Sequence, residues 1–142
     1  MRGLRTILMI AASAALVSCN TLEGKPDHVI GVWGGPQAGL DFTGGLAEAQ
    51  FDCASGTIDD PLYPAPDGTF SLKGTYRTGA SGPIKVGQFF KSQGAVYAGQ
   101  ITAGPVKNSP RMMTLHVALE DGTELGPFTL TEGSPPTIKR CL

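Results

Sequence analysis

From Thr69 to Arg77 the chain alternates without a break. Phe70, Leu72, Gly74 and Tyr76 fall on one parity; Thr69, Ser71, Lys73, Thr75 and Arg77 fall on the other. A period of two puts each set on its own face of an extended strand, one face buried and one wet. The pattern recurs along the chain. Leu46 to Cys53 sets Ala47, Ala49, Phe51 and Cys53 against Glu48, Gln50 and Asp52, and Arg111 to Glu120 sets Met113, Leu115, Val117 and Leu119 against Met112, Thr114, His116 and Ala118. Val96 to Thr102 and Glu124 to Thr131 are strands of the same kind. Val29 to Trp33, Leu40 to Thr43, Ile84 to Phe90 and Thr137 to Leu142 are shorter or less regular. Turn signals separate nearly all of them: Gly34-Gly35-Pro36, Gly44-Gly45, Asp67-Gly68, Gly82-Pro83, Asp121-Gly122 and Gly133-Ser134-Pro135-Pro136. Asp-Gly between alternating runs marks a hairpin, because glycine accepts the positive φ that a tight turn requires.

No helix of consequence is expected after residue 19. Eight or so short antiparallel strands at roughly ten-residue spacing imply a meander. The economical form is a small up-and-down barrel, whose closure removes exposed edges, with a two-sheet β-sandwich as the alternative. Composition agrees. The 20 glycines and 11 prolines among 142 residues oppose a helical bundle. A hydrophobic share of 41% with a net charge of −1 opposes disorder, and the absence of a basic excess opposes nucleic-acid binding.

The first residues read as an address. Arg2 and Arg5 precede an uncharged apolar run from Ile7 to Val17, the length of a secretory h-region and well short of the roughly 20 residues that span a bilayer. The run ends Leu16-Val17-Ser18-Cys19, which resembles the bacterial lipobox. That resemblance implies a leader over 1–18, diacylglycerol on the Cys19 sulfur, acylation of the new amino group, and a membrane partner reached through lipid. Asn20, where the family's inner-membrane retention signal has Asp, implies an outer-membrane address facing the periplasm. The organisation expected is a leader (1–18), a lipidated tether (19–28) and a β-barrel domain (29–142). With Cys19 committed to lipid, Cys53 and Cys141 are left as a natural disulfide pair in an oxidising compartment.

Three further resemblances bear on the body. Gly31-Val32-Trp33 on the first strand resembles the lipocalin and avidin group of small barrels. It implies that Trp33 packs at a closed end and that a basic residue from a late strand, Arg140, lies across it. The succession Trp33-Gly34-Gly35, Phe51-Asp52-Cys53-Ala54, Gly68-x-Phe70, Gly74-x-Tyr76, Tyr97-x-Gly99, Gly126-Pro127-Phe128-x-Leu130 and Cys141-Leu142 resembles a group of small exported bacterial proteins, which implies fold and export and brings no activity. Ser92-Gln93-Gly94-Ala95-Val96-Tyr97 is similar to the Ser-Gly-x-x-Tyr signature of membrane-bound lysozyme inhibitors, with a Gln inserted and the flanking aromatics missing.

The residues offer little chemistry. There is no Gly-x-Ser-x-Gly elbow and no Walker or dinucleotide spacing. His28 sits in the tether and His116 on the wet face of a strand, neither with a ligand partner at i+2 or i+4. Asp59, Asp60 and Asp67 lack EF-hand spacing, and Glu48 and Asp52 read as a solvated strand face. The expectation is a non-enzymatic envelope lipoprotein with no cofactor and no metal. Its barrel would act as a binding or inhibitor module for a small apolar ligand or a protein partner; the alternative is a structural lipoprotein without a pocket.

Overall fold

The computed structural model describes residues 28–79 and 91–141. They form eight strands: β1 (Val32–Gly35), β2 (Ala38–Asp41), β3 (Ala47–Phe51), β4 (Ala54–Ile58), β5 (Thr69–Thr78), β6 (Ser92–Thr102), β7 (Met112–Leu119) and β8 (Glu124–Glu132). Each strand pairs antiparallel with the next, and β8 pairs back onto β1, so the sheet closes into a barrel. This is the all-β meander barrel that the alternation predicts, and not the sandwich.

The longest ladder joins β5 to β6, from Thr69↔Gln100 to Arg77↔Ser92. Its inward parity carries Phe70, Leu72, Gly74 and Tyr76 from β5; on β6 the same parity carries Ala95, Tyr97, Gly99 and Ile101, with Gly99, Tyr97 and Ala95 facing Phe70, Leu72 and Gly74. On β7 the buried residues are Met113, Leu115, Val117 and Leu119, and on β3 they are Ala47, Ala49 and Phe51. Phe51 packs against Tyr76, Phe128 and Tyr97, with ring centroids 5.5, 5.6 and 6.4 Å apart. The β7–β8 ladder slips at one point: Leu115 faces Phe128 and Val117 faces Leu125, so His116 opposes both Gly126 and Pro127. Pro127 has no N–H for the ladder, and a bulge is where a strand accommodates that loss.

β4 (Ala54–Ile58) adds a strand to those the alternation marks, since only Ile58 in it is a large apolar residue. Three sequence expectations need correction. The first strand begins at Val32 and includes Gly34 and Gly35, which read as a turn in the sequence; β2 is likewise displaced toward Ala38. Cys53, expected at the end of a strand, lies instead in the two-residue β3–β4 turn with φ 59°. Finally, Thr137 to Cys141 make no strand. The expected strand Ile84 to Phe90 lies outside the described residues.

Those last residues form a strap. After β8 the chain reverses at Gly133, whose N–H donates to the Val32 carbonyl at 2.7 Å. It then runs parallel to β1. Thr137 donates to the Gly35 carbonyl and accepts from the Gln37 N–H, both at 3.0 Å. Farther on, Lys139 N–H donates to Asp52 Oδ1 at 2.7 Å, and its carbonyl accepts from Cys53 N–H at 3.2 Å. Trp33 and Leu40 point into the barrel, so Gly34 and Gly39, on the opposite parity, face outward under the strap. A Cβ at Gly34 would overlap the backbone of Pro135 and Pro136, and one at Gly39 would come within 2.6 Å of Pro136. The strap thus explains why two four-residue strands near their centre are buried on both faces.

Candidate functional site

The meander gives the barrel two unlike ends. The β1–β2, β3–β4 and β7–β8 turns lie at one, where the strap terminates. The residues leading into β1 lie at the other, with the β2–β3, β4–β5 and β6–β7 loops. We refer to these as the strap end and the entry end.

Trp33 sits near the entry end, fully buried, level with Leu40 on β2 and Glu132 on β8. A guanidinium does lie over its indole, 5.4 Å from the ring centroid, and it belongs to Arg111. The expected partner, Arg140, is exposed near the end of the strap, beside the residues that bond the β3–β4 turn. The reason is topological: the chain reverses at Gly133, so no late strand carries Arg140 back to Trp33, whereas Arg111 immediately precedes β7, two strands from β1. Glu132 fixes Arg111 by accepting from its Nε at 2.9 Å and its Nη2 at 2.8 Å. These bonds push the Arg111 pKa up and hold Glu132 below the usual carboxylate range. The indole Nε1–H is buried with no hydrogen-bond partner among the described residues.

Cys53 and Cys141 are joined as a disulfide, with their Cα atoms 5.0 Å apart. The bond ties the strap to the β3–β4 turn across a sequence separation of 88 residues. Cys19, the expected lipidation site, lies outside the described residues, as do the leader and nearly all of the tether.

The barrel interior is poor in reactive groups. Among the described residues no charged side chain is buried. The Tyr97 hydroxyl reaches over the neighbouring strand β5 and donates to the Thr75 carbonyl at 2.6 Å. It occupies the space where a side chain at position 56 would stand, which makes Gly56 obligatory there. Burial pushes the Tyr97 pKa up, so the phenol stays protonated across physiological pH. The segment similar to the inhibitor signature, Ser92 to Tyr97, is part of β6, and its tyrosine points inward, away from any partner.

The acidic residues on the surface have local partners. Asp41, Asp67 and Asp121 each accept from the backbone N–H of the threonine two residues on, at 2.9, 3.1 and 2.9 Å. Hydrogen bonds from those threonines hold all three carboxyls below their ordinary pKa. This Asp-x-Thr turn recurs three times, a signal visible in the sequence that pattern reading passed over. It also accounts for Asp67 without a cation. Asp52 is engaged by Lys139, while Glu48 and His116 are exposed on outward strand faces. Among the described residues no group of three His, Cys, Asp or Glu is arranged to hold a metal ion.

What remains is the shape of the entry end. His28, Val29, Ile30, Phe42, Thr43, Gly45, Pro61 and Tyr63 line an open cleft of about 340 Å³ there. His28 and Tyr63 are in ring contact at 5.8 Å, and Val29 N–H donates to the Leu62 carbonyl at 2.9 Å. No family model matches the chain, and no curated protein or solved structure matches it either.

Proposed function

We propose that this chain is a lipid-anchored envelope lipoprotein, held at the outer membrane through Cys19, whose barrel is a non-catalytic binding or inhibitor module facing the periplasm. Its partner is another protein, met at the turns of the strap end. The observation that carries this choice over a small apolar ligand is the filling of the interior. Trp33, Tyr97, Leu40, Ile58, Met113, Leu115, Leu130 and Val117 are all fully buried on the barrel wall, and their side chains take up space a ligand would need. A filled barrel with no buried charged side chain among its described residues recognises partners by its rim.

The test uses the full-length chain in its native envelope, with a photoreactive amino acid placed at Asp121 or Arg140 on the strap end. A discrete adduct of one reproducible mass, formed from those positions and not from Glu48 on the outer wall, is the expected result. Adducts absent from every rim position support the structural-lipoprotein alternative. Saturable one-to-one binding of an apolar fluorophore to the purified protein, abolished by enlarging the interior residue Ala95, overturns the protein-partner reading in favour of an interior ligand.

A further inference from the structure

We infer that the entry end is a membrane-docking face: it seats on the surface of the bilayer that holds the anchor, so that the barrel stands on the membrane with its strap end outward. This deepens the function proposed above and rests on its lipid anchor at Cys19.

The first observation is where the exposed apolar side chains lie. Among the described residues the exposed large hydrophobics are Ile30 (64% exposed), Leu46 (63%), Tyr63 (43%), Val106 (68%) and Val96 (37%). Val96 is on the barrel wall. The other four come from four separate segments: the chain entering β1 and the β2–β3, β4–β5 and β6–β7 loops. The meander brings all four segments to one end. Single exposed hydrophobics are ordinary, but four from separate segments converging on one face mark an interaction surface.

The second observation is which way the chain leaves. The tether joins β1 at this same end, beside the cleft lined by His28, Val29 and Ile30. From Cys19 to His28 there are nine residue steps, which span at most about 30 Å when fully extended. The longest strand, β6, has 11 residues, roughly 35 Å along a tilted path. A tether this short brings the entry end to the lipid surface first. For the strap end to reach the membrane, most of the tether would have to run back along the barrel wall.

The charges set the depth. The β4–β5 loop carries Asp59, Asp60 and Asp67, and the β6–β7 loop carries Lys107, all exposed. This end is therefore apolar at its tips and acidic around them, which suits shallow seating at a headgroup boundary rich in zwitterionic lipid.

The test reconstitutes the full-length chain, purified from membranes, into phosphatidylcholine vesicles brominated on the acyl chains. Two variants are compared: Leu46→Trp at the entry end and Lys139→Trp at the strap end. Trp33 is a constant background in both. The Leu46→Trp indole, lying within the roughly 5–10 Å an interfacial group penetrates, is expected to lose about half its emission while Lys139→Trp keeps its own. Adding Ile30→Ser and Val106→Ser to Leu46→Trp is expected to bring its quenching down to that of Lys139→Trp. Equal quenching of the two single variants, with diacylglycerol on Cys19 shown by mass spectrometry, overturns the docking face and leaves the anchor standing. Unchanged quenching after the two serine substitutions overturns the role of the patch. An unmodified Cys19 in the membrane-purified chain overturns the anchor and the docking with it.

Discussion

The two halves of this barrel are held by different means. The wall built from β5, β6, β7 and β8 has strands of 8 to 11 residues and long ladders, alternating most regularly in β5 to β7 and slipping once between β7 and β8. The wall built from β1 and β2 has two strands of four residues each, and β1 meets β8 through just two residue pairs, Trp33↔Glu132 and Gly34↔Thr131. The long wall is stabilised by what lies within its own strands. The short wall borrows from outside: the strap covers its outer face, a disulfide fixes the strap, and Trp33 fills the space behind it. Short strands can thus complete a barrel when both their faces are buried and the covering segment is tied down.

Trp33 is where the halves meet, so its removal should erase the difference between them. Trp33→Ala is expected to cost about 3–5 kcal/mol, the range for truncating a fully buried aromatic. Because Trp33 pairs with Glu132 of β8 and its indole lies under Arg111 just before β7, amide exchange should quicken in β1 and in β6 by similar factors, through global unfolding. A loss confined to β1 and β2, with β6 protection unchanged, would show that the short wall opens by itself and that Trp33 belongs to it alone.

Removing the disulfide should do the opposite and widen the difference. The Cys53→Ser, Cys141→Ser double variant loses a closure of 88 residues, worth about 4.6 kcal/mol by chain entropy and more typically 2–4. The native contacts it releases are local: Lys139 to Asp52, Lys139 to Cys53, and Thr137 to Gly35 and Gln37. Exchange at Gln37, Thr137 and Lys139 should rise well beyond the change in global stability, while β5 and β6 follow the global change only. Uniform acceleration at all sites would mean that the strap contributes only through the unfolded chain.

The same division decided what could be read from the sequence. β3, β5, β6, β7 and β8 are legible because their stabilising pattern is local, one side chain in and the next out. Gly34 and Gly35 read as a turn because glycine usually signals one; here Gly34 admits the strap, 100 residues away, and nothing local says so. β4 was missed because its inward positions are Ala54, Gly56 and Ile58, small where Tyr97 needs the room. The Cys53–Cys141 pairing followed from counting cysteines. The lipocalin-type resemblance points to Arg140 as the partner of Trp33, on the premise that a late strand carries it. In the closed barrel the partner is set by register, through Glu132, and by a reversal at Gly133 that the Gly-Ser-Pro-Pro turn signal already marked. The lipobox remains a matter of sequence alone, since Cys19 lies outside the described residues.

If close approach is what glycine supplies at position 34, a side chain there should displace the strap. Gly34→Val is expected to cost about 1–3 kcal/mol by overpacking against Pro135 and Pro136. Ser71→Val, an equally β-compatible change on the exposed face of β5, should stay within about 0.5 kcal/mol of wild type. Urea midpoints measure both. Equal midpoints for the two variants would mean that the strap lifts off at no cost and does not hold the short wall.

The smallest effect expected is at the seam itself. Arg111 and Glu132 form an ion pair with side chains 46% and 35% exposed, so solvent screens it, and roughly 0.2–1 kcal/mol is the range for such pairs. Its sign with pH follows from the direction of the Glu132 shift. The Arg111 guanidinium holds this carboxyl below its unfolded value, so the folded state binds its proton less readily than the unfolded one. The contribution is fully present above about pH 5, where the unfolded carboxyl is ionised, and is lost as the pH falls through the lower folded value. Glu132→Gln removes it at every pH. The stability gap between wild type and variant should therefore be widest at neutral pH and low salt, and should narrow toward pH 3. Asp41, Asp67 and Asp121 shift in the same direction, but they are common to both proteins and cancel in the gap. Because β8 meets β1 at Glu132, the exchange rate of the Gly34 amide should respond while those of β5 do not. A gap that does not change with pH would show that the carboxylate charge adds nothing. Arg111 would then hold the seam by stacking on Trp33, and Arg111→Lys, which keeps the charge and loses the planar fork, would cost more than Glu132→Gln.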